Sequence, residues 1–254
     1  MDGVQQTLNR FIDDLKGILE NNLHEIIIHG SYALGDFRPN RGDLDYIVVT
    51  KHDLTHSTNE ELFNLHDDYR ANRKLLLHQL EGTFYPKDIL LNLDLPFVGC
   101  YIGTGRRGWR TITTFQNSYI DLRVVNDKGI FLLASDVPVY RPTDVEIRAE
   151  MKTDHDKWVR TTTTQSIDGV GYWCAIVHWS ARTICYLRTG SLTSKAEACR
   201  WCKDNEELRE FNKQFEVAEN RRYPYGDEKA TEDFKSKCQK LLYCVNGILS
   251  SIKD

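Results

Sequence analysis

Apolar residues recur at helical spacing near the start of the chain, and they predict an amphipathic helix over residues 4–20. The apolar positions are Val4, Leu8, Phe11, Ile12, Leu15 and Ile18. The next apolar run, "HEIII", is typical of a buried strand that leads into a turn at Gly30. A second β-branched run, "DLDYIVVT", predicts another strand, and residues 59–79 predict a helix with Leu62, Leu65, Tyr69, Leu76 and Leu77 on or near one face.

The chain divides into two regions with different patterns. The segments "LEGTFY", "RTITTF" and "GIFLLA" are strand-like, so residues 1–149 alternate helical and strand patterns, and the segment "VYRPTD" closes this region. Residues 150–254 are dominated by helical patterns at 171–190, 194–205, 205–220 and 232–252. The predicted fold class is therefore α+β, with an N-terminal domain of mixed sheet and helices and a C-terminal all-helical bundle.

Charge and hydropathy limit the class of protein. Among the 254 residues, 33 are Lys or Arg and 37 are Asp or Glu, which gives a net charge of -4. A balanced charge is untypical of proteins that bind long nucleic acids, so we do not expect a nucleic-acid partner. The first twenty residues lack the pattern of a signal peptide, and no apolar run has transmembrane length. We therefore expect a cytoplasmic protein without a membrane segment.

The cysteines do not follow a zinc or disulfide pattern. Six of the seven come after residue 170, and Cys199 and Cys202 form a C-x-x-C pair inside a helical segment. No second pair of ligands has zinc-site spacing. Reduced cysteines packed among helices are the expectation.

One short segment carries the strongest chemical signal. Asp43 and Asp45 lie two positions apart at the start of a predicted strand, so both carboxylates face the same side of it. Two carboxylates this close repel each other unless a cation lies between them, and Mg²⁺ prefers such oxygen ligands. Gly30 and Ser31, at a turn between a strand and a helix, offer backbone N–H groups and a hydroxyl to a phosphate. Taken alone, the Gly-Ser pair is no signal, and the D-x-D pair is a weak one because paired acids at the start of a strand are often solvated turn residues.

The wider pattern is more specific. The segment "HGSYALGDFRPNRGDLDYIVV" resembles the signature of the polymerase-β-like nucleotidyltransferase superfamily, and more narrowly its streptomycin- and spectinomycin-type aminoglycoside adenylyltransferases. Three further segments resemble later parts of that family in the same order: "LEGTFYPKDIL", "DKGIFLLASDVPVYRPTD" and "ARTICYLRTGSLTSKAEACRWC". The resemblance covers most of the chain and implies a polymerase-β-like catalytic domain over residues 1–149 and a helical substrate- and nucleotide-binding domain over residues 150–254.

The resemblance also implies roles for individual residues. Asp43 and Asp45 would ligate Mg²⁺ bound to ATP, and Gly30 and Ser31 would hold the phosphates. Glu81 matches the family's general base, which takes the proton of the acceptor hydroxyl; without the family, Glu81 would be an acid at the end of a helix facing water. Lys195 matches a lysine that neutralises the triphosphate, and its alternative is an exposed, solvated lysine.

Acceptor-binding residues are predicted from the charge of the acceptor. Aminoglycosides are polycations, so their site is expected to carry acids and aromatic faces, and Asp168 and Trp173 are the candidates. Asp168 could instead cap a helix, and Trp173 could be a core aromatic. Where the streptomycin-type enzymes carry an acid before "ARTI", this chain has Tyr172 and Trp173, which leaves the identity of the acceptor open.

The function implied by the resemblance is Mg²⁺-dependent transfer of AMP from ATP to a hydroxyl of an aminoglycoside-type antibiotic, with release of pyrophosphate, by a monomer. Two alternatives remain. A nucleotidyltransferase with another acceptor, such as a lincosamide, a protein or a tRNA, would use the same three carboxylates. An inactive nucleotide-binding relative would be marked most simply by loss of one of them, and Asp43, Asp45 and Glu81 are all present.

Overall fold

The computed structural model describes residues 2–71, 75–104, 108–134, 136–220 and 228–251. The chain divides into two compact units, Met1–Arg141 and Pro142–Asp254. The sequence-predicted boundary after residue 149 falls inside a helix, Asp144–Thr164, that belongs to the second unit. A capping box explains why this helix begins where it does, because Thr143 and Glu146 each bond the backbone N–H of the other.

The first unit is built on a mixed sheet flanked by helices. Its helices are α1 (Asp2–Leu19), α2 (Gly30–Ala33), α3 (His56–Ala71) and α4 (Tyr119–Lys128). Its strands are β1 (Leu23–Ile28), β2 (Leu44–Thr50), β3 (Leu80–Pro86), β4 (Gly99–Ile102), β5 (Trp109–Ile112) and β6 (Ile130–Phe131). The described strands are ordered β5-β4-β3-β2-β1-β6, with β2 and β3 parallel and the other neighbours antiparallel.

Alternation along the central strands gives the sheet two apolar faces. One face packs against α1 and α3 through a cluster that includes Phe11, Tyr46 and Phe84. The other face carries a smaller cluster with Ile47 of β2 and Val125 of α4. Because β2 and β3 have apolar residues on both faces, they are the buried centre of the sheet.

The sequence prediction was correct for α1, β1, β2 and β3, was wrong for two other segments, and missed β4 and α4. The helix predicted over residues 59–79 ends at Ala71, and a 3₁₀ helix occupies Leu76–Gln79; residues 72–74 lie outside the described residues. The segment "GIFLLA" forms only the two-residue strand β6, and α4 was not predicted. A second capping box, between Ser118 and Asp121, starts α4.

The second unit is helical in its described part, as predicted. Its helices are α5 (Asp144–Thr164), α6 (Val170–Thr189), α7 (Lys195–Asp204), α8 (Asn212–Asn220) and α9 (Glu232–Ser251). The final residue of the predicted helix 232–252 lies outside the described residues. Its core is formed around α6, whose buried residues include Trp173, Ile176 and Val177.

The seven cysteines are free thiols, and all but Cys244 are buried. Burial raises the pKa of Cys202 and Cys238 above the ordinary thiol value, so both are protonated and unreactive at neutral pH. Across the described ranges, no helix is both long enough and hydrophobic enough to pass through a bilayer.

Candidate active site

The turn after β1 brings its backbone against the metal-ligand candidate Asp45. Gly30 has φ +60, a left-handed conformation that favours glycine. A Cβ atom at this position would lie 2.0 Å from Oδ2 of Asp45. The backbone N–H of His29 also donates to the carbonyl oxygen of Asp45 at 3.0 Å. Gly30, which was predicted to approach a phosphate, must therefore be glycine because the Asp45 carboxylate packs closely against this turn.

The predicted carboxylates meet at one end of the parallel pair of strands. Asp43 directly precedes β2, and Asp45 is its second residue. In the register of β2 with β3, Asp45 lies opposite Glu81. Directly paired residues point to the same face of a sheet, so the expected base lies beside the expected metal ligand.

Glu81 is buried, with 8% of its surface exposed. Three donor groups lie within hydrogen-bond distance of its carboxylate. Tyr101 donates its hydroxyl to Oε1 at 2.8 Å. The backbone N–H and the hydroxyl of Thr104 lie 3.1 Å and 2.8 Å from Oε2. The same Thr104 hydroxyl lies 2.9 Å from Oδ1 of Asp43. The alternative that Glu81 is a helix-end acid facing water is therefore wrong, since Glu81 lies in a strand and is hydrogen-bonded.

Three residues that support this cluster were missed by the sequence analysis. Tyr101 and Thr104 come from β4 and the segment that follows it. The third is Gln79, which is buried, accepts from the N–H of Asn40 at 3.0 Å and donates to the carbonyl oxygen of Gly42. Gln79 therefore ties down the loop that leads into Asp43. The sequence analysis did not predict β4, so no signal in the sequence pointed to Tyr101 or Thr104.

The oxygen-rich donor set fits Mg²⁺. No three His, Cys, Asp or Glu side chains among the described residues are arranged as a complete metal site. Mg²⁺ is usually held by only one or two carboxylates, with water and substrate phosphates as its other ligands. Asp43 and Asp45 satisfy that requirement, and the turn at Gly30 and Ser31 lies next to Asp45. These residues could therefore hold Mg²⁺ together with a nucleotide.

The remaining predicted residues belong to the second unit. Lys195 is the exposed first residue of α7, whose start is capped by Ser194. Asp168 does not cap α6; its carboxylate pairs with Lys235 at 2.8 Å and Lys229 at 3.6 Å, and these ammonium groups, with Lys235 the stronger influence, lower the pKa of Asp168.

Trp173 is a core residue. Its side chain is 3% exposed, and its indole N–H donates to the carbonyl oxygen of Ile167 at 3.0 Å. A buried indole with a satisfied N–H offers neither a free ring face nor a free donor to a ligand. The structure therefore corrects the expectation that Trp173 binds the acceptor and favours the core-aromatic alternative.

Part of the first unit is similar to a known family of domains. Residues 8–92 match the family model of the nucleotidyltransferase domain. The matched segment contains Gly30, Ser31, Asp43, Asp45 and Glu81. The match therefore covers every site residue that the sequence predicted in the first unit.

The fold of nearly the whole chain matches that of a solved structure. A crystal structure of spectinomycin adenyltransferase AAD(9) from Enterococcus faecialis, with ATP and spectinomycin, matches with a TM-score of 0.64 at 17% sequence identity. The match covers 97% of this chain and 99% of that one. A search of curated proteins gives no significant match. The resemblance found in the sequence is confirmed for the fold: this chain has the fold of that adenyltransferase, and residues 8–92 match the nucleotidyltransferase domain.

Proposed function

We propose that the protein transfers AMP from ATP to a hydroxyl of an aminoglycoside-type antibiotic, with Mg²⁺ as cofactor. The observation that carries this proposal is the convergence of Asp43, Asp45 and Glu81 at one end of β2 and β3, with Glu81 fixed by hydrogen bonds. Two metal-binding carboxylates and a separate base are what transfer to a hydroxyl requires. The nucleotidyltransferase domain supports the reaction class, and the neighbour solved with ATP supports ATP as donor.

The proposed reaction is a single displacement at the α-phosphorus of ATP. The acceptor hydroxyl oxygen attacks the α-phosphorus of ATP, and the bond from that phosphorus to the oxygen bridging to the β-phosphate breaks. Pyrophosphate leaves with the electron pair, and Glu81 takes the proton of the hydroxyl. When bound, Mg²⁺ supplies charge neutralisation at the phosphates and at the leaving pyrophosphate.

The protein groups proposed for binding ATP come from two places in the sequence. Gly30 and Ser31 hold the phosphates beside Asp45, where the turn already lies in contact with that carboxylate. Lys195 contributes a compact positive charge to the triphosphate. Both assignments follow the resemblance to the adenylyltransferases.

The proposed acceptor is an aminoglycoside-type antibiotic. The structural neighbour was solved with spectinomycin, which favours an aminoglycoside-type acceptor. Asp168 keeps a half-exposed carboxylate in spite of its two lysine partners and stays a candidate for binding an ammonium group. A monomeric state and a cytoplasmic location also stay predictions.

A pyrophosphate-release assay tests the function. Purified protein is incubated with ATP and Mg²⁺ and with a panel of aminoglycosides, lincosamides and tRNA, and each acceptor is then weighed by mass spectrometry. We expect release that depends on an aminoglycoside-type acceptor, together with an acceptor that has gained one AMP. Asp45→Asn is the matched control for contaminating transferases. AMP on a lincosamide or tRNA alone would overturn the acceptor assignment, and no release with any acceptor would favour the inactive relative.

A further inference from the structure

The hydrogen bonds of Glu81 define one orientation of its carboxylate. Oε2 lies within hydrogen-bond distance of two donors on Thr104, the backbone N–H and the hydroxyl, and Oε1 accepts from the Tyr101 hydroxyl. Donors on both oxygens restrict rotation about the last side-chain bond, which is otherwise a soft torsion. A base must lie within hydrogen-bond reach of the proton that it takes, so this orientation bears directly on catalysis.

The Thr104 hydroxyl has one proton and two carboxylate neighbours. It lies 2.8 Å from Oε2 of Glu81 and 2.9 Å from Oδ1 of Asp43, and it can donate to only one of them at a time. A cation held by Asp43 would withdraw electron density from that carboxylate and make it the poorer acceptor. The hydroxyl is then left to donate to Glu81.

We propose that Thr104 is a positioning residue, which holds the Glu81 carboxylate in the orientation for proton transfer once the metal site at Asp43 is filled. Tyr101 does the same for the other carboxylate oxygen. This inference rests on the proposed function, in which Glu81 is the base. Thr104 itself touches neither nucleotide nor acceptor in this role, and it acts through Glu81.

Two substitutions separate the hydroxyl from the rest of the side chain. Thr104→Val removes the hydroxyl and keeps the volume and branching, whereas Thr104→Ser keeps the hydroxyl. Thr83→Val is the matched control, because Thr83 lies two positions after Glu81 on β3 and donates its hydroxyl to Asn117 at 2.9 Å. Asn117 keeps the Tyr85 hydroxyl as a donor in that variant.

The measurements are kcat with saturating acceptor and the Kd of MgATP. Loss of a group that orients a catalytic side chain typically costs about 10- to 100-fold, so we expect Thr104→Val to lower kcat by that factor at unchanged Kd for MgATP. Thr104→Ser is expected to restore most of kcat, and Thr83→Val to match the wild type. Tyr101→Phe, which keeps the ring packed against Arg110 at 4.2 Å, is expected to lower kcat in the same way.

A double variant decides whether the effect passes through Glu81. Once Glu81→Gln has removed the base, Thr104→Val is expected to cause no further loss of kcat. An additional loss in the double variant, or weaker MgATP binding by Thr104→Val alone, would overturn the positioning role. If Glu81→Gln abolishes turnover while Thr104→Val turns over like the wild type, only this inference is wrong. If the wild type itself shows no transfer, or Glu81→Gln stays active, the proposed function is wrong and the positioning role falls with it.

Discussion

Asp45 of β2 and Glu81 of β3 lie directly opposite each other in the parallel pair at the centre of the sheet. The two carboxylates therefore share one face, and Thr104 connects Glu81 to the neighbouring Asp43. Such a concentration of negative charge is costly in an empty site and favourable once a cation is bound. The metal ligands, the turn, the base and the lysine are expected to differ in their effects on MgATP binding and turnover.

Substitution of either aspartate tests the metal pair. Asp43→Asn or Asp45→Asn is expected to abolish transfer, because an amide is a poor ligand for Mg²⁺. Without Mg²⁺, the free energy of unfolding should stay equal or rise slightly, since one like-charge repulsion is removed. Turnover and urea unfolding in the presence and absence of Mg²⁺ measure both effects. Turnover near the wild-type rate in either variant would exclude the assignment.

Gly30→Ala tests the turn beside Asp45. The added Cβ would meet Oδ2 of Asp45 at 2.0 Å, so the carboxylate must move, and we expect MgATP binding to be lost. A left-handed non-glycine residue also costs about 1–3 kcal/mol of unfolding free energy.

Gly35→Ala is the matched control for that strain. Gly35 has φ +72, but a Cβ there would meet nothing within 4 Å. Calorimetry should show normal MgATP affinity in Gly35→Ala and none in Gly30→Ala. Equal affinities in the two variants would mean that the packing against Asp45 does not matter for the nucleotide.

Glu81→Gln distinguishes a base from a metal ligand. The amide oxygen can accept from Thr104, and the amide NH₂ group can donate to the Tyr101 hydroxyl. The variant is therefore expected to fold like the wild type. Loss of a general base should reduce turnover by about a hundred- to ten-thousand-fold at nearly unchanged MgATP affinity. Turnover and MgATP titration of the same preparation measure the two effects. Weakened MgATP binding together with lost turnover would place Glu81 among the metal ligands, and retained turnover would exclude it as the base.

Lys195→Ala tests the predicted contact with the triphosphate. Loss of a charge-assisted hydrogen bond should weaken MgATP binding by about 1–3 kcal/mol. Lys213→Ala is the control, because Lys213 is another exposed lysine of the second unit, on α8. Isothermal calorimetry of both variants provides the comparison. An unchanged MgATP affinity in Lys195→Ala would show that Lys195 is a solvated lysine without a role in nucleotide binding.

The buried His66 predicts a dependence of stability on pH. Burial, reinforced by the charge of Arg70, lowers the pKa of His66 from 6.5 to about 3, and its Nε2 lies 3.0 Å from the Tyr46 hydroxyl. Below pH 6.5 the unfolded chain binds a proton that the folded protein does not, so the free energy of unfolding falls as pH decreases towards 3. The slope for one such group is at most about 1.4 kcal/mol per pH unit.

His66→Gln removes this titration and keeps a polar partner for Tyr46. Urea unfolding of the wild type and this variant at several pH values between about 7 and about 4 should show a shallower loss of stability in the variant. Parallel curves would show that His66 does not contribute to the acid sensitivity.

The sequence by itself determined the elements that depend on local pattern. Helical spacing of apolar residues specified α1, and β-branched runs specified β1 and β2, because side-chain periodicity is set within the element itself. The D-x-D spacing placed Asp43 and Asp45 on one face for the same reason. Assignment of Glu81 as the base needed the family resemblance, since its own surroundings in sequence favoured a solvated acid.

Only the tertiary structure decided which distant residues meet. The register of β2 against β3 places Glu81 beside Asp45, and pairing of β4 with β3 brings Tyr101 and Thr104 to the base. Burial of Trp173 was likewise invisible in the sequence, where a core aromatic and a ligand-binding aromatic look the same. The physical reason is that strand register and core packing depend on hydrogen bonds and contacts between segments far apart in the chain, which no local pattern encodes.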